Sequence, residues 1–303
     1  MCDQTTRHVI GLDLSCSWLN GSIHSSSTLF FLLHLKTLNL AGNYFNFSEI
    51  SFEFGNFKTL THLNLSYSMF SGKMPLEISH LSSLVSLDLS YNFGLLIETQ
   101  IWNNLTQLRE LLLDDTNMSL CRPNSLMNLS SSFATLSLND FYLQGKLEKN
   151  ILCFPSKQTL DLGFNSNLDL GSLPKCNWSC SSLKFLALSS ISFLGELTES
   201  IGNLKYLKHL DLLETRFSGE FPNSMGNSKS MMYLDLSYCN FIGSIPISLG
   251  NLTQITHLDL HANKLIASIP TSLGNLTKLT FLDLSYNSFS GEIQLLLLNF
   301  SCF

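Results

Sequence analysis

The sequence predicts a solenoid of α/β repeats: a curved, superhelical stack with a parallel β-sheet on its concave face and short helical or 3-10 turns on its convex face. Three observations predict it. An aliphatic pattern returns every 24 to 26 residues along a chain of 303. Within each return, two leucines two positions apart place their side chains on one face of a short strand, which gives each unit an inside and an outside. An asparagine recurs where the chain must turn away from that strand, at Asn43, Asn92, Asn165, Asn263 and Asn287. Such a period overrides the two globular domains that length alone would suggest.

Taking the first aliphatic of each unit as its start gives Val9, Leu35, Leu60, Leu84, Leu108, Phe133, Lys157, Leu183, Leu207, Met231, Ile255 and Leu279. Lys157 is the one polar member of that column. The clearest unit reads ITHLDLHANKLIASIP from Ile255 to Pro270, and its LxxLxLxxN core is the leucine-rich repeat signature. One unit alone cannot fold. Each buried aliphatic contributes roughly 1.5–3 kcal/mol, whereas each ordered residue costs about 1–2 kcal/mol of backbone entropy. Stacking is therefore obligatory.

The asparagine can both donate to and accept from backbone groups that the turn would otherwise bury unpaired, so this column reads as structural. Cys239 stands in the same column, which favours a small buried thiol over a disulfide partner. Past the asparagine, Gly72, Gly219, Gly243 and Gly291 permit a bend, and Pro75, Pro222 and Pro246 end backbone pairing. A second short extended stretch and a helical turn such as SLGNL should follow.

With these elements in order, residues 9–293 resemble plant-type extracellular leucine-rich repeats, whose consensus is LxxLxLxxNxLxGxIPxxLGxLxx. The opening RHVIGLDLSCSWLNGSI, Arg7 to Ile23, is similar to the exit from the N-terminal cap of plant receptor-like proteins of the Cf type. That resemblance implies three parts: residues 1–8 as a remnant of the cap, 9–293 as about twelve repeats, and 294–303 as a divergent tail without a proper cap. It also makes Cys2 the last cysteine of the cap, with its partner upstream of Met1. The middle, Asn92 to Leu170, lacks Gly-x-Ile-Pro and is less regular. At the far end Gln294 replaces the expected proline, and an uncapped end is expected to be sticky.

Eight cysteines permit 105 full pairings. Cys176 and Cys180 share a loop and form the favoured local pair; a metal half-site is the alternative, but no second Cys/His pair at ligand spacing accompanies it, and no metal or cofactor is expected. Ten Asn-x-Ser/Thr sequons occur, at Asn20, Asn46, Asn64, Asn104, Asn117, Asn128, Asn177, Asn251, Asn275 and Asn299. With the cysteines they point to an oxidising, glycosylating compartment. The family stands on the extracellular face of the plasma membrane, yet this chain shows no leader and no apolar run of about 20 residues. A fragment or truncated product of a secreted protein reconciles these facts.

Net charge is −6 and charged residues are 13%, so no basic field is present to hold nucleic acid. Catalysis is not expected either: no nucleophile elbow, phosphate loop or zinc-site spacing appears. Function should lie on the exposed strand positions, which parallel pairing aligns into columns about 4.8 Å apart. One column ends in Asp211, Asp235, Asp259 and Asp283; His209, Tyr233, His257 and Phe281 stand beside it. Tyr238, Tyr286, His261, Lys264, Glu214 and Arg216 stand on its other side. The repeat consensus accounts for the aspartates. The rings are less dictated by it and suit a peptide or protein ligand; His209 and His257 could add pH dependence. Asn64 faces the same side, and a glycan there would cover the early units, which directs attention to units nine to twelve.

The resemblance implies a ligand-binding ectodomain that signals through a partner receptor kinase, in defence, where the ligand would be microbial, or in development. Two other readings compete: a secreted inhibitor of a microbial cell-wall hydrolase, similar to polygalacturonase-inhibiting proteins, and a truncated decoy. Twelve units and the Cf-type opening favour the receptor.

Overall fold

The computed structural model describes residues 1–128, 133–140, 142–153, 155–173 and 178–291, and the chain divides into two compact units, 1–145 and 146–303. The tail at 294–303, the sequons at Asn177 and Asn299, and Cys176 lie outside the described residues. Among the described residues no helix is long and apolar enough to cross a membrane.

Each repeat contributes a three-residue strand. In the first unit Gly11–Asp13, Thr37–Asn39, His62–Asn64, Ser86–Asp88, Glu110–Leu112 and Thr135–Ser137 pair in parallel, in chain order. In the second unit Thr159–Asp161, Phe185–Ala187, His209–Asp211, Tyr233–Asp235, His257–Asp259 and Phe281–Asp283 do the same. The predicted leucine-rich repeat architecture is present. The central leucine of each strand faces the core, as with Leu38, Leu87, Leu210 and Leu258, each at most 1% exposed. Rings thicken that core: Phe193 packs on Phe217 at 4.7 Å, and Phe221 on Phe241 at 4.6 Å.

Chain direction changes at two residue columns. The strand-end Asp or Asn accepts the backbone N–H two residues on, as Asp211 does from Leu213 at 2.9 Å and Asn64 from Ser66 at 2.9 Å. A left-handed residue follows, with φ between 49° and 60° at Tyr67, Tyr91, Asp115, Asp140, Phe164, Ser190, Glu214, Tyr238, Ala262 and Tyr286. A non-glycine residue there costs roughly 1–2 kcal/mol, so the turn is imposed by the stack around it. Next comes the asparagine plug. Asn263 Nδ2 donates to Leu236 O at 2.8 Å and Leu260 O at 3.2 Å, while its Oδ1 accepts from Phe241 N at 3.0 Å. Asn287 repeats the arrangement one unit later.

Other residues also fill the plug position. Ser68 donates to Leu40 O at 3.0 Å, Thr116 to Leu113 O at 2.7 Å and Thr215 to Leu212 O at 2.8 Å. Cys239 is buried, and its Sγ donates to Leu212 O at 3.2 Å. Burial pushes that thiol up to about 11, so it stays protonated and inert.

Beyond the plug a second short strand and a 3-10 turn complete the repeat. In the second unit Ser192–Glu196, Arg216–Glu220, Asn240–Gly243 and Lys264–Leu265 pair in that order. Gly243 lies at φ 77°, the bend the sequence anticipates. The 3-10 turns stack so closely that a Cβ on Gly250 would collide with the carbonyl of Ser272. Lys157, the polar member of the start column, is buried at 3% exposure, and burial lowers its ammonium to about 8.

Candidate functional site

Parallel register fixes the geometry of the exposed strand face. In the second unit the residue that opens each strand stacks directly on its neighbour, and from 185 onward every one is a ring. Phe185 lies 4.1 Å from His209, His209 4.2 Å from Tyr233, Tyr233 4.3 Å from His257, and His257 4.2 Å from Phe281, with interplanar angles of 10°, 9°, 8° and 4°. The result is one continuous stack of five rings. Four of them, His209, Tyr233, His257 and Phe281, are in the column expected from sequence. Phe185 was missed, although it occupies the same position of its repeat; its strand ends in Ala187 instead of aspartate.

The aspartates line the stack on one side. Each gives an oxygen to the turn: Asp235 Oδ1 accepts from Ser237 N at 2.9 Å and Ser237 Oγ at 2.6 Å, Asp259 Oδ1 from His261 N at 2.8 Å, and Asp283 Oδ1 from Ser285 N at 2.8 Å. That bond is the fold reason for the column. Of the second oxygens, Asp235 Oδ2 takes a long 3.4 Å bond from the Tyr233 hydroxyl, and Asp283 Oδ2 lies 3.6 Å from His261 Nδ1.

The electrostatics follow from this crowding. Burial, with Asp235 and Asp283 adding negative charge nearby, raises the Asp259 carboxyl above its ordinary value; burial likewise raises Asp211. The Tyr233 hydroxyl is pushed up by burial and then by Asp235 and Asp211. His209 drops to about 4, because burial and then His257 disfavour its cation while Asp235 only partly supports it. Asp283, hydrogen-bonded to Ser285 and near His261, is lowered instead. One trio was not anticipated: Asp235, His257 and Asp259 offer ligand atoms within 4.8 Å of one another, a spacing at which one cation can reach all three. Its signal was available in the alternate positions of His257 and Asp259 and the register that brings Asp235 alongside.

A second cluster sits at the turn edge. His261 Nδ1 lies 2.7 Å from Ser285 Oγ and 3.6 Å from Asp283 Oδ2, and its ring is flanked by Tyr238 and Tyr286, each at 4.9 Å. Tyr286 is 81% exposed. Glu214, also left-handed, accepts from Ser190 Oγ at 2.9 Å. Arg216 and Lys264 stand elsewhere. They open the second strands past the turn, so they flank the face and do not line it.

The first unit differs. Its corresponding column is Gly11, Thr37, His62, Ser86, Glu110 and Thr135, and a groove of about 440 Å³ lies over Gly11, Thr37, His62 and Ser86. Asn64 borders this groove, half-buried.

The stacked strands and plug column are those of a leucine-rich repeat protein, and comparison with known proteins agrees. The family described as "Leucine-rich repeat region" matches residues 134–302, and "Leucine Rich Repeat" matches 59–81. The chain belongs to the leucine-rich repeat family, in its plant receptor-like protein branch. It is 39% identical over 213 residues to Receptor-like protein 6 of Arabidopsis thaliana, covering 67% of this chain and 21% of that protein. To Receptor-like protein Cf-9 of Solanum pimpinellifolium it is 37% identical over 213 residues, covering 67% and 24%. The chain thus spans about a quarter or less of the length of these relatives. Among solved structures it is similar to a TDR receptor, with 29% identity and a TM-score of 0.78 over 93% of this chain and 48% of that one. The ectodomain of the Arabidopsis thaliana receptor kinase GASSHO1/SCHENGEN3, in complex with CASPARIAN STRIP INTEGRITY FACTOR 2, matches with 28% identity and a TM-score of 0.75, over 96% and 37%.

Proposed function

We propose that this chain is the ligand-binding part of the ectodomain of a plant cell-surface receptor-like protein, and that its ligand is a peptide or protein held on the strand face of repeats nine to twelve. The observation that carries this reading is the stack His209, Tyr233, His257 and Phe281 of those repeats, continued by Phe185 of repeat eight, beside the row Asp211, Asp235, Asp259 and Asp283. A pre-stacked ring surface loses little side-chain entropy on binding, and rigid aromatics dominate binding energy at interfaces. Carboxylate oxygens along one edge select a segment with lysine, arginine or a free amino terminus. Solved relatives support the mode of use, since the plant receptor RGFR1 was captured with RGF2 and PEPR1 with AtPEP1. The chain acts by binding and not by catalysis. It passes the signal to a partner receptor kinase through a lateral face, in defence or development, at the outer face of the plasma membrane. His261, Tyr238 and Tyr286 form the turn-side border of the ligand's path.

A displayed library of random peptides selected on the full chain tests this. Enriched peptides should combine basic and aromatic residues, and Tyr233→Ala or Asp259→Asn should weaken them roughly 10- to 100-fold, as for loss of a central contact. His62→Ala should leave them unchanged. Peptides that crosslink to repeats two to four instead would overturn the assignment.

A further inference from the structure

The flank of the first unit carries a pocket of about 380 Å³ with three aromatic rings in its wall, Trp18, Tyr44 and Tyr67, together with Met69 and Asn20. Trp18 is the unusual member. It is 95% exposed and held in the left-handed region at φ 58°, a conformation that disfavours any residue with a Cβ. The other described tryptophans, Trp102 and Trp178, are buried. Asn20, also exposed, opens the sequon Asn20-Gly21-Ser22. The backbone pins that sequon beside the rings: Leu19 N donates to Asn43 Oδ1 at 2.9 Å, Gly21 N to Tyr44 O at 3.1 Å, and Gly21 takes φ 113°, which glycine alone adopts readily. An acceptor asparagine therefore projects from the rim of an aromatic pocket.

We propose that Asn20 is an N-glycosylation site and that the pocket seats the first N-acetylglucosamine of its glycan against Trp18. The apolar C–H face of a pyranose complements the negative face of an indole or phenol ring, and the pocket supplies such rings within reach of the Asn20 amide. The covalent step uses a lipid-diphosphate oligosaccharide of the secretory compartment. The bond between the anomeric carbon and the phosphate oxygen breaks, the bond from Asn20 Nδ2 to that carbon forms, Nδ2 gives up a proton, and the lipid diphosphate departs with the electron pair. The sequon at Asn64 differs. Asn64 is half-buried, with Oδ1 already engaged by Ser66 N and Oγ. The inference shares with the functional reading only passage through the secretory compartment; its readout involves no ligand, so either can fail alone.

The test is the full chain secreted from yeast behind an added leader, compared with Asn20→Gln. Tryptic mass spectrometry should find Asn20 occupied. Hydroxyl-radical labelling of Trp18 should be about threefold lower in the glycosylated chain than in Asn20→Gln, because a stacked sugar covers one ring face. Trimming by an endoglycosidase that leaves a single N-acetylglucosamine should preserve the protection, and complete removal from the untrimmed chain by a peptide N-glycosidase should abolish it. An unoccupied Asn20, or equal labelling of Trp18 in all forms, overturns the proposal. Trp18→Ala should lower occupancy at Asn20, and since Trp18 is exposed this variant still folds.

Discussion

On the strand face of the first unit, the residue that opens each strand is Gly11, Thr37, His62, Ser86, Glu110 or Thr135; on the second it is Thr159, Phe185, His209, Tyr233, His257 or Phe281. Backbone pairing is the same in both, residue for residue, with His62 opposite Ser86 just as Tyr233 is opposite His257. Yet one face leaves a groove and the other carries a column of touching rings. The repeat fixes where side chains stand and leaves one column free to decide what the surface can bind. A scaffold of this kind separates stability from recognition, since plug, core leucines and turn glycines are common to both units.

That separation can be broken or sharpened experimentally. The largest effect should come from Lys157, the polar residue in the second unit's start column. A shift from 10.5 to about 8 at a buried ammonium corresponds to about 3 kcal/mol. The unfolded chain keeps this proton up to 10.5 while the folded chain releases it near 8, so stability should rise as pH climbs through that window. Lys157→Leu should abolish the rise in denaturant melts. Next, Gly55→Ala and Gly250→Ala should each cost about 2–3 kcal/mol, because a Cβ meets the carbonyl of Glu77 or Ser272. Equal losses in the two units would confirm that the scaffold is shared; an innocuous Gly250→Ala would show that the stack there is looser than its spacing implies.

Acid should distinguish the faces. His209 takes up its proton near 6.5 when unfolded and only near 4 when folded, so its contribution is complete above 6.5 and is lost as pH falls toward 4. With solvent screening the loss should be about 1–2 kcal/mol. Asp211 and Asp259, raised in the folded state, act in the opposite sense at lower pH. Melting followed from pH 7 to 4 should show the loss in the native chain and not in His209→Phe, which keeps the stack without the charge. The smallest difference is between single residues of the two columns. Tyr233→Ala removes two ring contacts and should cost about 1 kcal/mol, while Ser86→Ala should stay within about 0.5 kcal/mol.

Most of the fold was legible because a 24-residue spacing leaves few solutions, and strand positions followed from the start column. The ring stack was legible as a column, since parallel register turns sequence spacing into touching side chains. Phe185 escaped because the aspartate column was used to find its neighbours, and Ala187 interrupts that column. Arg216 and Lys264 were placed on the face because the sequence does not show how far the left-handed turns at Glu214 and Ala262 redirect the chain. The plug was under-read for a chemical reason. An asparagine is recognisable, but Ser68, Thr116 and Thr215 donate to the same kind of carbonyl and look like ordinary surface residues in sequence.

The plugs also bear on the order in which the array comes apart. Asn263 and Asn287 each clasp the preceding repeat twice, through Leu236 O and Phe241 N and through Leu260 O and Leu265 N. Between the repeats that begin at Leu207 and Met231, a thiol takes the amide's place, and its contacts are Leu212 O and Thr215 Oγ1 at 3.2 and 3.3 Å. Sulfur is a weak donor and a poor acceptor. Of the junctions between the repeats that begin at Leu207, Met231, Ile255 and Leu279, this one should open first, visible as faster amide exchange around Phe217 than around Phe241. Under tension, the repeats that begin at Met231, Ile255 and Leu279 should then part together from the repeat before them.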